Sequence, residues 1–327
     1  MSADGYWSIG ELAERAGVTV KTVRFYSDRG LLPEASRSSG GHRRYGAGAL
    51  DRLRLIRSLR TLDLPVSEVG RILDREEALE DVIAGQLREL GSQLAALRWR
   101  EAALQLLRDC TPAERAERLS LVGAVTAPPS TAALARFWRR VLPPRLPARL
   151  VSAILEAAVP QPPADPSPAQ VLAFARLHAL TSGARLGPGH CRPTSPALDG
   201  GYRPAVLYDG LGEAYALAAA DLRAERPPQQ GEALDCFVAA HAGSRGVRDT
   251  PDFRHRLRGV LAATAEPVVG RYWQLAGEMY ALPSGTPEPT MGAAHDWLTA
   301  ALDGQTAGSS RCSVRSQDQA PSKGETR

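Results

Sequence analysis

The chain has 327 residues, 43% of them hydrophobic and 23% charged, with a formal net charge of +4. Such a balance is that of a soluble globular protein, long enough for two domains and a sizeable core. No stretch approaches the roughly 20 uninterrupted apolar residues of a membrane span, and the N-terminus lacks the basic-then-apolar pattern of a secretory leader, so a cytoplasmic protein is expected.

Charge is unevenly spread. From Arg15 to Arg60 there are 11 Lys and Arg against 3 Asp and Glu, whereas Thr61 to Cys110 holds 6 against 10. A positive patch confined to one segment suits a phosphate-binding surface. Only Lys21 and Lys323 are lysines, so the abundance of Arg says less than its placement.

In chain order, Ser8 and Glu11 form an S-x-x-E capping box that marks a helix start. Ile9, Leu12, Ala13 and Ala16 give that helix one apolar face, and Gly17 ends it by tolerating the left-handed backbone of a tight turn. Thr19 caps a second helix whose inward side is predicted to carry Val20, Val23 and Phe25. That leaves Lys21, Thr22, Arg24 and Tyr26 outward, and Gly30 closes the helix. The loop from Glu34 to Gly48 is rich in Ser, Gly and Arg, and its Gly40-Gly41 pair signals a hairpin. A short two-stranded wing is expected there. Leu50, Leu53, Ile56, Leu59 and Leu62 then mark a third helix. Pro65 suits the first turn of a fourth, with Val66, Val69, Ile72 and Leu73 buried.

Ile83, Leu87, Leu90, Leu94, Leu97 and Leu104 follow at spacings of three and four, interrupted by Glu101, which is a heptad seam. A helix from Glu76 to Asp109 is roughly 50 Å long at about 1.5 Å per residue. Such a seam needs a partner: a second copy of the chain, or the chain's own C-terminal half.

Beyond it, Thr111-Pro112 with Glu114 and Ser167-Pro168 with Gln170 repeat the capping device, and Thr250-Pro251 resembles it. Helical patterns cover 113–125, 131–158, 168–182, 205–224, 231–243, 251–263, 266–282 and 291–302, with Pro/Gly-rich joints at Pro160–Pro168 and Leu186–Pro204. Strand alternation is nearly absent. The expected fold class is mainly α: a winged helix-turn-helix domain over 1–75, a long coiled-coil helix over 76–110, an all-helical domain over 111–303 and a disordered tail over 304–327.

Trp7 to Leu73 with the long helix resembles the MerR family of transcriptional regulators. The resemblance is carried by Ile9-Gly10-Glu11-Leu12-Ala13, Gly17-Val18, Thr22-Val23-Arg24-Phe25-Tyr26, Gly30-Leu31-Leu32-Pro33 and Gly41-His42-Arg43-Arg44-Tyr45. It covers about a third of the chain. It implies a homodimer joined by antiparallel long helices, double-stranded promoter DNA with an overlong spacer as the target, and bending of that DNA so that RNA polymerase can engage. By position in the motif, Lys21, Thr22 and Arg24 lie on the recognition helix. Tyr26 matches a phosphate-contacting tyrosine, Arg43 matches the wing arginine, and Arg37 and Tyr45 flank it, Tyr45 as a contact or as core. Arg forks grip phosphate or guanine, and hydroxyls bond phosphate oxygens. Two departures stand out: His42 occupies a position where the family often has Tyr, and Gly46-Ala47-Gly48 replaces the usual cap before the third helix.

Metal-sensing relatives cluster cysteines at the ends of the dimer helix. Here Cys110, Cys191, Cys236 and Cys312 are scattered, and His190-Cys191 is the one adjacent ligand pair; no metal site is expected. Ala240-His241-Ala242-Gly243 lacks the preceding strand of a cobalamin-type motif, so no cofactor is expected either. No P-loop, dinucleotide-binding fingerprint, H-E-x-x-H or G-x-S-x-G is present, so no enzyme is expected. The large helical C-terminal region resembles the drug-responsive branch of the family and implies a small organic effector. Tyr208, Tyr215, Tyr272 and Trp273 are its candidate pocket residues, with Tyr280, Trp138 and Trp297 as further aromatics. The alternative is a ligand-independent regulator whose C-terminal domain docks another protein.

Overall fold

A computed structural model describes residues 5–75, 77–183, 201–280 and 288–317, with side-chain detail up to residue 307. Among these residues two compact units are present, one ending at Leu94 and one beginning at Ala95. No described helix is long and apolar enough to cross a membrane.

The first unit opens with strand β1 (Trp7–Ser8) and helix α1 (Ile9–Ala16). Ser8 Oγ accepts from the Glu11 amide while the Glu11 carboxylate accepts from the Ser8 amide at 2.8 Å, closing the capping box. Those bonds hold the Glu11 carboxyl below the usual range. Gly17 ends α1 with φ 63°, a left-handed conformation that would strain any side chain larger than hydrogen. Helix α2 (Val20–Asp28) starts at Thr19, whose hydroxyl accepts from the Thr22 amide at 3.1 Å.

Strands β2 (Ser36–Arg37) and β3 (Arg43–Tyr45) make the wing. Its tip is a Ser38–Gly41 turn, with Gly41 at φ 78° and the Gly41 amide donating to Ser38 O at 2.8 Å. The expected two-stranded wing is a three-stranded sheet of order β1-β3-β2, because Trp7 pairs antiparallel with Tyr45 and Ser8 with Arg44. Two residues next to a cap carry no alternation, so β1 left no sequence pattern.

Helix α3 (Gly48–Arg60) begins at Ala47 without a side-chain cap, and α4 (Val66–Asp74) follows. Leu12, Val23, Leu32, Tyr45, Leu53, Ile56 and Val69 form the centre of this unit's core. Leu62, assigned to the α3 stripe by spacing, lies beyond the helix end and is exposed.

Helix α5 (Ala78–Arg108) carries the heptad seam. Its Val82 packs in the first core, and Trp99, Ala102, Ala103 and Leu106 pack in a core of the second unit. Trp99 meets Phe174 edge-on at 5.4 Å. The division between the two units therefore falls inside α5.

The second unit continues with α6 (Pro112–Gly123), α7 (Ala132–Val141), α8 (Ala148–Ala158), α9 (Pro168–Gly183), α10 (Pro204–Arg223), α11 (Glu232–Arg245), α12 (Pro251–Ala263), α13 (Pro267–Tyr280) and α14 (Met291–Gln317). The helical pattern over 131–158 is two helices, since Pro143, Pro144 and Pro147 interrupt it and a proline inside a helix loses a hydrogen bond and clashes with the preceding turn. Helix α14 runs past Gly304, where the sequence suggested a disordered tail. Thr306 Oγ1 donates to Leu302 O at 3.0 Å and Gln305 holds Arg254 at 2.8 Å, so this turn is tied to the fold.

Two cores divide the second unit. One gathers the C-terminal half of α5 with α7, α8, α9 and α13. The other gathers α10, α11, α12 and α14 around Leu234, Phe237, Val238 and Leu298.

Candidate nucleic-acid interface

Helix α2 presents a mixed outer face. Val23 and Tyr26 face the core, whereas Lys21, Arg24, Val20 and Phe25 are exposed. The inward assignment of Val20 and Phe25 is thus corrected: on a nine-residue helix the narrow buried line is i, i+3, and Val23 with Tyr26 occupies it. Phe25 instead holds the Arg29 guanidinium 5.2 Å from its ring centroid. Lys21 and Arg24 have no ion pair or side-chain hydrogen bond among the described residues.

Tyr26 is also corrected, from the outer face to the core edge. It still lines an open groove of about 510 Å³ with Val18, Thr22, Arg54, Arg57, Ser58 and Thr61. The Thr22 hydroxyl lies 2.9 Å from that of Thr19.

The wing arginines are braced. Arg43 Nη1 donates to Asp28 Oδ1 at 2.6 Å, and its Nε lies 3.2 Å from Glu34 Oε2. The Asp28 bond raises the Arg43 pKa above its ordinary value. Arg37 Nε donates to Glu34 Oε1 at 2.8 Å, so one carboxylate holds both wing strands. His42 is exposed, with its amide donating to Ser38 Oγ at 3.1 Å. Tyr45 is fully buried, which favours the core alternative for it, and its hydroxyl has no hydrogen-bond partner among the described residues.

Helix α3 was not singled out from the sequence, although its arginines are part of the basic count. Arg52 Nε donates to Leu31 O at 2.7 Å, Arg57 Nη1 to Ala16 O, and Arg60 Nη1 to Leu64 O. These side chains close carbonyls at helix ends and turns. Arg54 is exposed beside Asp51 at 3.3 Å.

All six seam residues of α5 are exposed, from 42% for Ile83 to 68% for Leu104. They run along the side of the helix opposite Trp99, Ala102 and Ala103.

The candidate pocket aromatics divide between the two cores, three in one and Tyr215 in the other. Tyr272 is fully buried, stacks on Phe137 at 5.3 Å with 3° between ring planes, and donates to Ala158 O at 2.7 Å. Trp273 packs on Trp138 at 5.2 Å, and Tyr208 borders the same core. Tyr215 belongs to the other core, its hydroxyl 3.1 Å from His295 Nδ1. Of the remaining aromatics, Trp297 Nε1 donates to Arg226 O at 2.9 Å. Among the described residues no group of three His, Cys, Asp or Glu side chains is placed to hold a metal ion. Cys110 is buried with its thiol donating to Leu107 O at 3.1 Å. His190-Cys191 lies outside the described residues, as does the side chain of Cys312.

Two short helices joined at a glycine turn, a third helix behind them and a hairpin beside them make a winged helix-turn-helix, the architecture of DNA-reading regulators. The profile described as MerR HTH family regulatory protein matches residues 7–76. The nodulation protein NolA of Bradyrhizobium sp. (strain NC92) is 39% identical over 89 residues, 27% of this chain and 38% of that protein. The transcriptional activator TipA of Streptomyces coelicolor is 35% identical over 119 residues, 34% of this chain and 47% of that protein. The ZntR homolog of Haemophilus influenzae, a transcriptional regulator, is 31% identical over 121 residues, 35% of this chain and 90% of that protein. The chain belongs to the MerR family of helix-turn-helix transcriptional regulators. It spans less than half the length of the NolA and TipA proteins it matches.

Proposed function

We propose that the protein binds double-stranded promoter DNA as a homodimer joined through α5, acts there on RNA polymerase, and is governed by a small organic ligand received in its second unit. The observation that carries the dimer is the seam itself: six large aliphatic side chains in heptad register, each 42% exposed or more, are left uncovered along one helix. Pairing two seams covers them and fixes two copies of α2 relative to each other, as reading two half-sites requires.

At the DNA, Lys21 and Arg24 are the free cations of the recognition helix, with Val20 and Phe25 as apolar neighbours suited to thymine methyls and sugar. Thr22 and Tyr26 border the groove in which a phosphate would meet Arg54. Arg37, His42 and Arg43 line the wing, where the Glu34 and Asp28 bridges must yield or be shared for Arg43 to reach phosphate. Tyr208, Tyr215, Tyr272 and Trp273 shape the helical cores of the ligand-responsive unit rather than one shared cavity.

The test is a gel-shift titration on the DNA upstream of the protein's own coding sequence, at two salt concentrations. Selective, salt-sensitive binding by a dimer is expected. Equal affinity for unrelated DNA would overturn the promoter reading.

A further inference from the structure

A second stretch of one-sided charge lies in the second unit. From Arg118 to Leu155 there are six arginines and no Asp or Glu. Five of them, Arg136, Arg139, Arg140, Arg145 and Arg149, fall on the last two turns of α7, the α7–α8 loop and the first turn of α8, and all five are exposed. Arg136, Arg139 and Arg140 are spaced three and four apart, so they share one helix face. Arg140 Nη2 donates to Thr181 O at 3.2 Å, which ties the end of α9 to the same corner. Helix α9 adds Arg176 and no acid. Among the described residues one carboxylate meets the five: Asp209 lies 3.6 Å from Arg149 Nη2, with both side chains more than half exposed. Arg136, Arg139 and Arg145 have no ion pair or side-chain hydrogen bond among the described residues.

Helix chemistry accounts for only part of this placement. Cations at the end of α7 suit its dipole, but Arg149 stands in the first turn of α8, where the dipole disfavours a cation and no acid offsets it. Arg145 holds φ 72°, a left-handed backbone in which glycine would be unstrained. A surface of this kind gains beside a polyanion, because each phosphate it neutralises releases a counterion. Two observations favour duplex DNA over an acidic protein. No exposed large hydrophobic side chain lies between Arg136 and Arg149, whereas a protein interface needs an apolar centre and a DNA interface is polar and positive. The chain also belongs to a family that reads DNA, so a duplex held by the first unit is at high effective concentration for a basic surface on the same chain.

We propose that this arginine corner is a second, sequence-independent contact with duplex DNA, in which Arg136, Arg139 and Arg145 hold backbone phosphates. The proposal rests on the reading of the protein as a binder of promoter DNA, and it adds a phosphate surface outside the winged helix-turn-helix.

The test measures the affinity of the full chain for two duplexes of equal length, the DNA upstream of its own coding sequence and an unrelated sequence, over a series of salt concentrations. One variant carries Arg136→Gln, Arg139→Gln and Arg145→Gln together. Each lost phosphate contact flattens the slope of log affinity against log salt by about 0.9, so a change of roughly 2 to 3 for each protomer is expected on both duplexes. The ratio of the two affinities should not change, because phosphate contacts carry no sequence information. Arg136→Lys, Arg139→Lys and Arg145→Lys together should restore the slope, since a point charge suffices for phosphate. The unfolding midpoint of the Gln variant should match the wild type; a fall would make the arginines structural and overturn the proposal. A slope unchanged within about 0.5 would also overturn it, and weaker recruitment of RNA polymerase in that case would assign the corner to a protein. Selective binding with an unchanged slope removes the corner and leaves the promoter reading. A flattened slope without selectivity keeps the corner and removes the promoter reading.

Discussion

Leu87→Ala is the sharpest test of the α5 seam. Leu87 is 64% exposed, and Leu→Ala removes three carbons. At about 0.8 kcal/mol per buried CH₂, and scaling by the exposed fraction that a partner would cover, each copy loses about 1.5 kcal/mol. A two-fold interface contains the position twice, so the dimer loses about 3 kcal/mol. With roughly 1.4 kcal/mol per decade, the dimer dissociation constant should rise about a hundredfold. Monomer folding should be spared, because Leu87 belongs to neither of the buried clusters that α5 enters. Sedimentation velocity over a concentration series reads the constant directly, and circular dichroism checks the helix. A dissociation constant unchanged within a factor of three, in a variant that folds normally, would refute the seam as the dimer contact.

Arg24→Ala is expected to weaken DNA binding and lower the salt slope by about 1 without moving the unfolding midpoint, since Arg24 has no side-chain partner among the described residues; a gel shift at several salt concentrations reads it. Arg43→Ala should reduce binding and also lower the midpoint slightly, because it frees Asp28 and Glu34; an unchanged midpoint in a scanning calorimeter would contradict the brace. Gly292→Ala should destabilise the protein by about 1–3 kcal/mol, because a methyl there would overlap the Trp273 side chain where α13 and α14 meet, and thermal unfolding measures it. The second unit should lose stability on acidification. Burial, with Arg245 and His295 beside it, lowers His241 from 6.5 to about 3, and burial lowers His295 in the same direction. Between those values the unfolded chain takes up a proton that the folded chain refuses, so stability falls as pH falls below about 6.5, by up to about 1.4 kcal/mol per pH unit for each histidine. In His241→Gln the dependence should be shallower; an identical slope from pH 7 to 5 would show that His241 is not kept neutral by the fold.

The elements that were legible in the sequence are those set by neighbours three or four residues apart. Ser8 with Glu11, Thr19 before Val20, Gly17 and Gly41 each specify a cap or a turn through local geometry, and each element begins or turns where those residues stand. The two-residue β1, by contrast, exists because Trp7 reaches Tyr45 across 38 positions, and no local pattern encodes that pairing. The same distinction governs the candidate interface. Counting basic residues locates the patch but cannot separate working cations from braces. Arg52, Arg57 and Arg60 are held by carbonyls, and Arg43 by two carboxylates, which leaves Lys21 and Arg24 as the unengaged charges of α2.

Tyr272 and Trp273 looked like pocket residues because they are aromatic, yet aromatic rings stack readily into cores, and Phe137 and Trp138 supply that stacking here. Arg245 drew no attention because one arginine at a helix end is usually solvated and favourable to the helix dipole. It is instead buried beside His241, with no carboxylate paired to it among the described residues, a position created by packing α11 against α10 and α14.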